Sequence, residues 1–207
     1  MSGKFIVFEG PDGSGKTSVI DGIRKKLEEK NIDFRIFREP GGTEISEKIR
    51  EILLDNNNVN LKYTTEALLM AASRAQLVSE KIIPLLKEEV NVICDRFVIS
   101  SLVYQGIGRN LGIKEVEIIN NFATNGLKPD LTIFLDIDAE VAMERKKIAK
   151  KLDRFEKEDI DFHKKNYEGY KKIASLNENE IVRIDASENL NKVIEKSYEI
   201  LQKKFGF

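Results

Sequence analysis

A chain of 207 residues with 41% hydrophobic and 33% charged residues can bury a substantial core beneath a well-solvated surface. Thirty-four basic residues stand against 35 acidic ones, and a net charge of −1 excludes the broad basic footprint of a nucleic-acid binder. A lone cysteine, Cys94, excludes an internal disulfide and a thiolate metal cluster, and no run approaches the ~18 apolar residues of a membrane span. The short apolar stretch after Lys4 is too brief for a signal segment, so a soluble, cytoplasmic protein without membrane partners is expected.

The first predicted element is a strand, Phe5–Phe8. Directly after it comes Gly10-Pro11-Asp12-Gly13-Ser14-Gly15-Lys16-Thr17, which matches G-x-x-x-x-G-K-[ST] in the strand–loop–helix setting that this motif requires. Its glycines let backbone N–H groups turn onto phosphates at a helix N-terminus. Lys16 is expected to reach the β- and γ-phosphates of ATP, and the Thr17 hydroxyl to hold Mg²⁺. The helix that follows, Lys16–Glu29, carries Val19, Ile20, Ile23 and Leu27 at helical spacing.

A second strand, Phe34–Phe37, runs into Arg38-Glu39-Pro40-Gly41-Gly42-Thr43, and a helix over Glu66–Ile83 presents Ala71-Ala72-Ser73-Arg74. A third strand, Val90–Cys94, ends in Asp95-Arg96-Phe97, followed by Ser101 and Tyr104-Gln105. A carboxylate at the end of a buried strand beside a phosphate loop suits the Mg²⁺ shell, which makes Asp95 a metal candidate. Arg38, Arg74 and Arg96 supply planar guanidiniums suited to a second anionic ligand. A fourth strand, Leu131–Leu135, precedes Asp138, the expected N-cap of a helix over Ala139–Lys147. Lys146–Lys157 is dense in charge and reads as a lid. A fifth strand, Ile181–Ile184, and a last helix with Leu190, Val193, Ile194 and Leu201 complete the chain.

Short apolar strands alternating with helices predict an α/β fold: one doubly wound sheet of five parallel strands flanked by helices, in a single domain with a short lid. Ligands of such sheets lie beyond the carboxyl ends of the strands, where these motifs fall. A guanine-reading Asn-Lys-x-Asp is missing, because Asn191-Lys192-Val193-Ile194 fails at its fourth residue.

Taken together, the phosphate loop, Arg-Glu-Pro-Gly-Gly-Thr, Ala-Ala-Ser-Arg, Asp-Arg-Phe with Tyr-Gln downstream, and Asn125-Gly126-Leu127-Lys128-Pro129-Asp130-Leu131-Thr132 closely resemble the thymidylate kinase family, from Lys4 to about Asp185. The resemblance implies phosphorylation of dTMP to dTDP by Mg-ATP, in dTTP synthesis, by a homodimer. It places Arg38 and Arg96 on the dTMP phosphate, with Asp12 and Glu39 near that phosphate or its metal. Arg74, Gln105 and Ser101 fall at the thymine edge, and Tyr104 beneath the deoxyribose. Met70 stands where members often stack an aromatic ring on the base. Some members carry an Arg at the position of Gly13; here the equivalent charge is expected from the lid, with Arg154 of the basic run Arg145–Arg154 as the best match for the catalytic cation alongside Lys16, Arg38 and Arg96, and Lys147, where many members have an arginine, as the alternative. The rival readings are a kinase for another nucleoside monophosphate or a nucleoside, and a non-catalytic nucleotide-binding switch.

Overall fold

The computed structural model describes residues 3–147, 152–177 and 180–207, the side chains of 146 and 147 excepted. Five parallel strands form one sheet in the order β2-β3-β1-β4-β5: β1 Phe5–Glu9, β2 Phe34–Arg38, β3 Asn91–Asp95, β4 Leu131–Asp136 and β5 Ile181–Asp185. Each predicted strand is present. The third begins one residue late because Val90 N–H still donates to Leu85 O at the end of the preceding helix, and it runs on to include Asp95.

Every residue of β1 is buried, as a central parallel strand covered on both faces requires. Successive side chains go to opposite faces. Ile6 and Phe8 join a core with Val19, Ile20, Ile23 and Leu27 of α1 (Lys16–Glu29) and Val193 and Leu201 of α9 (Leu190–Phe205). Phe5 and Val7 meet Leu77, Val78 and Ile82 on the other side. The helix predicted over Glu66–Ile83 is longer and interrupted. It runs as α3 (Tyr63–Leu77), a π-helical stretch (Val78–Ile82) and α4 (Ile83–Lys87), and the π segment places Val78 and Ile82 in the core.

Further helices are α2 (Glu44–Leu54), α5 (Val98–Ser101) continuing as a π-helical stretch (Leu102–Gly108), α6 (Ile113–Ala123), α7 (Ala139–Lys147) and α8 (Ile160–Leu176). Thr43 caps α2 by accepting from Ser46 N–H at 3.1 Å, and the Asp138 carboxylate accepts from Glu140 N–H at 2.8 Å at the start of α7. A third core cluster packs against β4, where Val103, Tyr104 and Phe134 meet Phe155, Phe162 and Tyr170.

The register positions the site. Arg38 pairs with Asp95, and Asp95 with Phe8, so three strand ends lie in one row beside the phosphate loop. From β1 the chain crosses to β2 and β3 on one side and reaches β4 on the other. The strand order therefore reverses beside β1 and opens a crevice at the carboxyl ends.

Candidate active site

A cleft of roughly 630 Å³ opens in that crevice, and its lining includes Gly13, Gly15, Lys16, Thr17 and Ser18 of the phosphate loop and α1 as well as Met70, Arg74, Ser101 and Gln105. Gly15 precedes α1 in the left-handed region (φ 87°), which turns the loop into the helix. Lys16 is buried and donates to Gly10 O (2.9 Å) and Pro11 O (3.0 Å). Burial, reinforced by Arg96, pushes its ammonium down to about 8 against the opposing pull of Asp95, Asp12 and Glu9. Thr17 Oγ1 donates to Asp95 Oδ2 at 3.2 Å. A hydroxyl and a carboxylate converging beside a phosphate loop suit Mg²⁺, a hard cation that takes one or two protein oxygens and leaves the rest to phosphate and water.

Gly13 occupies the left-handed region (φ 84°), and a Cβ there would lie 2.1 Å from Ala142 O of α7. The position that carries an Arg in some similar proteins is therefore closed to any side chain in this arrangement.

Arg96 sits at φ 74°, uncommon for a non-glycine residue and a mark of backbone held by its surroundings. Its Nη1 donates to Gly10 O (2.8 Å), Ser100 Oγ (3.0 Å) and Tyr170 Oη (2.9 Å), and its Nη2 to Asp12 Oδ1 (2.8 Å). Tyr104 Oη donates to the other Asp12 oxygen at 2.9 Å. Asp12 thus joins the phosphate loop to both Arg96 and Tyr104.

Arg38 Nη1 and Arg50 Nη1 both donate to Pro40 O at 2.8 Å, and Arg38 Nη2 also pairs with Glu47 (2.9 Å). Burial and the neighbouring Arg38 and Arg96 lower the Arg50 guanidinium from its ordinary value. Arg38, Arg74 and Arg96, to which the sequence pointed, all line the cleft, and Arg50 joins them there. Arg50 was missed because it lies on α2, a helix the apolar pattern did not reveal.

Arg74 is buried and spends all its donors on protein. Nε and Nη2 hold Glu39 Oε2 (2.6 and 2.5 Å), Nη1 holds Ser101 Oγ (2.9 Å) and Asn120 Oδ1, and Nη2 also holds Phe97 O (2.8 Å). It lines the cleft as a strut. Glu39 is itself buried, and burial lifts its carboxyl to about 7 in spite of Arg74.

Glu9, also absent from the sequence reading, accepts from Phe97 N–H (2.8 Å), Ser100 N–H (3.2 Å) and Ser100 Oγ (2.6 Å). Burial pushes its carboxyl up, opposed by Ser100 and Arg96. A glutamate closing an otherwise apolar strand was the available signal. It ties the end of β1 to the turn after β3 and so fixes Arg96.

The structure places Arg154, the expected catalytic cation of the lid, against Glu66. Arg154 is not among the cleft-lining residues. Its Nε donates to Leu53 O (2.9 Å), its Nη2 lies 2.7 Å from Glu66 Oε2, and its guanidinium covers the Phe155 ring at 4.5 Å. A buried carboxylate captures the charge before it can face the phosphates. Arg145 does line the cleft and donates to Ala186 O at 3.0 Å. Lys150 and Lys151 lie outside the described residues, as does the side chain of Lys147.

A phosphate loop and several arginines lining one cleft make this a P-loop phosphotransferase. Comparison narrows the class: the thymidylate kinase family model matches residues 8–197, and the chain belongs to that family. It is similar to thymidylate kinases of Finegoldia magna (49% identical over 97% of this chain and 98% of that one), Clostridium novyi (48%, 94% and 96%) and Staphylococcus epidermidis (48%, 96% and 97%).

Proposed function

We propose that the protein transfers the γ-phosphoryl group of Mg-ATP to the phosphate of dTMP, giving dTDP for dTTP synthesis. The observation that carries this reading is one cleft lined by the phosphate loop together with Arg38, Arg50 and Arg96. Lys16 and the loop N–H groups hold the donor phosphates, with Thr17 and Asp95 at the Mg²⁺ position. Arg38 and Arg96 orient the acceptor phosphate, assisted by Arg50. Asp12 and Glu39 lie near that phosphate or its metal, Tyr104 lies under the deoxyribose, and Met70, Ser101, Arg74 and Gln105 surround the base.

No general base is needed. A phosphate monoester has a second pKa of about 6 and is already a nucleophile at neutral pH. The obstacle is repulsion between two anions, and the residues answer it by alignment and positive charge. Bound Mg²⁺ supplies further neutralisation of the donor phosphates. The whole chain acts as one kinase unit, with residues 146–157 as its lid, in the cytoplasm.

The protein works as a homodimer. Exposed Ile45 and Ile52 of α2, Leu68 of α3, and Ile118 and Phe122 of α6 lie on three helices packed side by side, an apolar face suited to a second copy.

The deciding measurement is turnover of Mg-ATP with a panel of acceptors. Rapid dTDP formation, little reaction with AMP, GMP or thymidine, and near-idle ATP hydrolysis without acceptor are expected. Equal kcat/KM for dTMP and AMP would overturn the acceptor, and rapid acceptor-free hydrolysis would favour an ATPase or switch.

A further inference from the structure

Glu66 of α3 is completely buried and meets two kinds of partner. Its Oε1 accepts from Gln105 Nε2 at 2.9 Å and from Arg109 Nε at 3.2 Å. Its Oε2 faces Arg109 Nη2 at 3.3 Å and Arg154 Nη2 at 2.7 Å. Arg109 is clamped in turn by Glu158 at 2.7 Å and by the rings of Tyr63 and Phe162, each 4.5 Å from its guanidinium.

From this arrangement we infer that Glu66 is the positioning residue that sets which pyrimidine the enzyme accepts, by fixing the orientation of the Gln105 amide. A carboxylate accepts hydrogen bonds and cannot donate them, so the Gln105 atom that faces Glu66 must be the nitrogen. Gln105 lines the base end of the cleft, and its other amide atom, the oxygen, is left to meet the base. An amide oxygen accepts from the N3–H of thymine or uracil. Against cytosine it would confront the unprotonated N3, two acceptors with no proton between them, a pairing that a buried site penalises. Arg109 Nη2 and Arg154 Nη2 hold the Glu66 oxygen that does not meet Gln105, and Arg109 Nε shares the oxygen that does, so the two arginines keep the carboxylate from rotating. This gives Arg154 a role in base recognition in place of the phosphoryl-transfer role expected of it.

The inference rests on dTMP as acceptor, and the experiment separates the two ideas. Wild-type enzyme is first compared on dTMP, dUMP and dCMP with Mg-ATP; equal use of dCMP and dTMP would refute base reading itself. Glu66→Gln is then tested. The two arginines draw the new amide oxygen to themselves, its NH₂ faces Gln105, and the Gln105 amide turns over to present N–H to the base. The ratio of kcat/KM for dTMP over dCMP is expected to fall by about tenfold or more, with KM for ATP unchanged. Glu66→Asp disturbs the packing comparably but keeps an acceptor-only partner, so it should lower both activities in parallel and hold the ratio. A ratio unmoved in Glu66→Gln, or moved equally by both variants, would reduce Glu66 to a structural residue and overturn the inference.

Should Glu66→Gln fail to fold, the wild-type enzyme answers by ¹⁵N NMR of its glutamine side chains, with Gln105 assigned through Gln105→Glu. Its NH₂ protons should be protected from exchange before any nucleotide is added and remain so with dTMP. Protection that arises only with dTMP would mean that the nitrogen faces the base, and would sink the proposal.

Discussion

Lys16 shows how burial prepares a residue for its ligand. Enclosed by the loop it is meant to serve, its ammonium has dropped to about 8, and it rests on the carbonyls of Gly10 and Pro11. A bound polyphosphate favours the charged form and raises the pKa again. Nucleotide binding should therefore take up roughly half a proton at pH 8 and almost none at pH 6, and ATP affinity should decline as pH rises past 8. Calorimetry in buffers of different ionisation enthalpy measures the uptake. The folded Lys16→Ala variant should lose this linkage and ~10²–10³ in rate. Unchanged linkage in that variant would place the titrating group elsewhere.

Among the elements, the strands were readable because a sheet covered on both faces demands near-continuous apolar runs, and Phe5–Phe8 or Leu131–Leu135 have few other uses. Helix α2 was not readable. It buries only Ser46 and Leu53 while Ile45 and Ile52 point outward, so its apolar residues do not mark its inner face. The site divides in the same way. Residues within contiguous motifs could be found from spacing, whereas Glu9, Arg50, Glu66 and Arg109 acquire meaning only from partners 39 to 161 positions away or from a wall of the cleft.

The stretch around Arg154 shows what spacing cannot give. Arg154 lies in the densest basic run, but the fold delivers it to Glu66. Arg154→Ala should therefore raise KM for dTMP and weaken discrimination against dCMP, at a stability cost of about 1–3 kcal/mol, with kcat little altered. A loss of ~10³ in kcat at unchanged KM would restore Arg154 to the transition state. Steady-state kinetics on both acceptors, together with thermal unfolding, distinguish the two.

For the whole molecule, the apolar face of α2, α3 and α6 sets the expectation. Phe122 is 88% exposed and Ile118 70%, a large apolar surface to leave in water. Sedimentation of the wild-type protein should show a dimer, and Phe122→Glu should shift it towards monomer by placing like charges across a two-fold axis. A wild-type monomer at micromolar concentration would dismiss the pairing. The same helices carry Arg50, Met70 and Arg74 on their cleft side, so weakened pairing should also raise KM for dTMP while leaving KM for ATP nearly constant.

The tight fit of Gly13 against Ala142 also bears on descent. A first side chain at position 13 would collide with α7 before it could deliver any charge, so the step must be preceded or accompanied by a change that retreats that helix. Two solutions to the same electrostatic problem, a cation in the phosphate loop or cations on the elements around it, would then be separated by a valley of impaired intermediates. A lineage that settled on glycine here would tend to keep it, whatever later happened to the basic residues beyond α7.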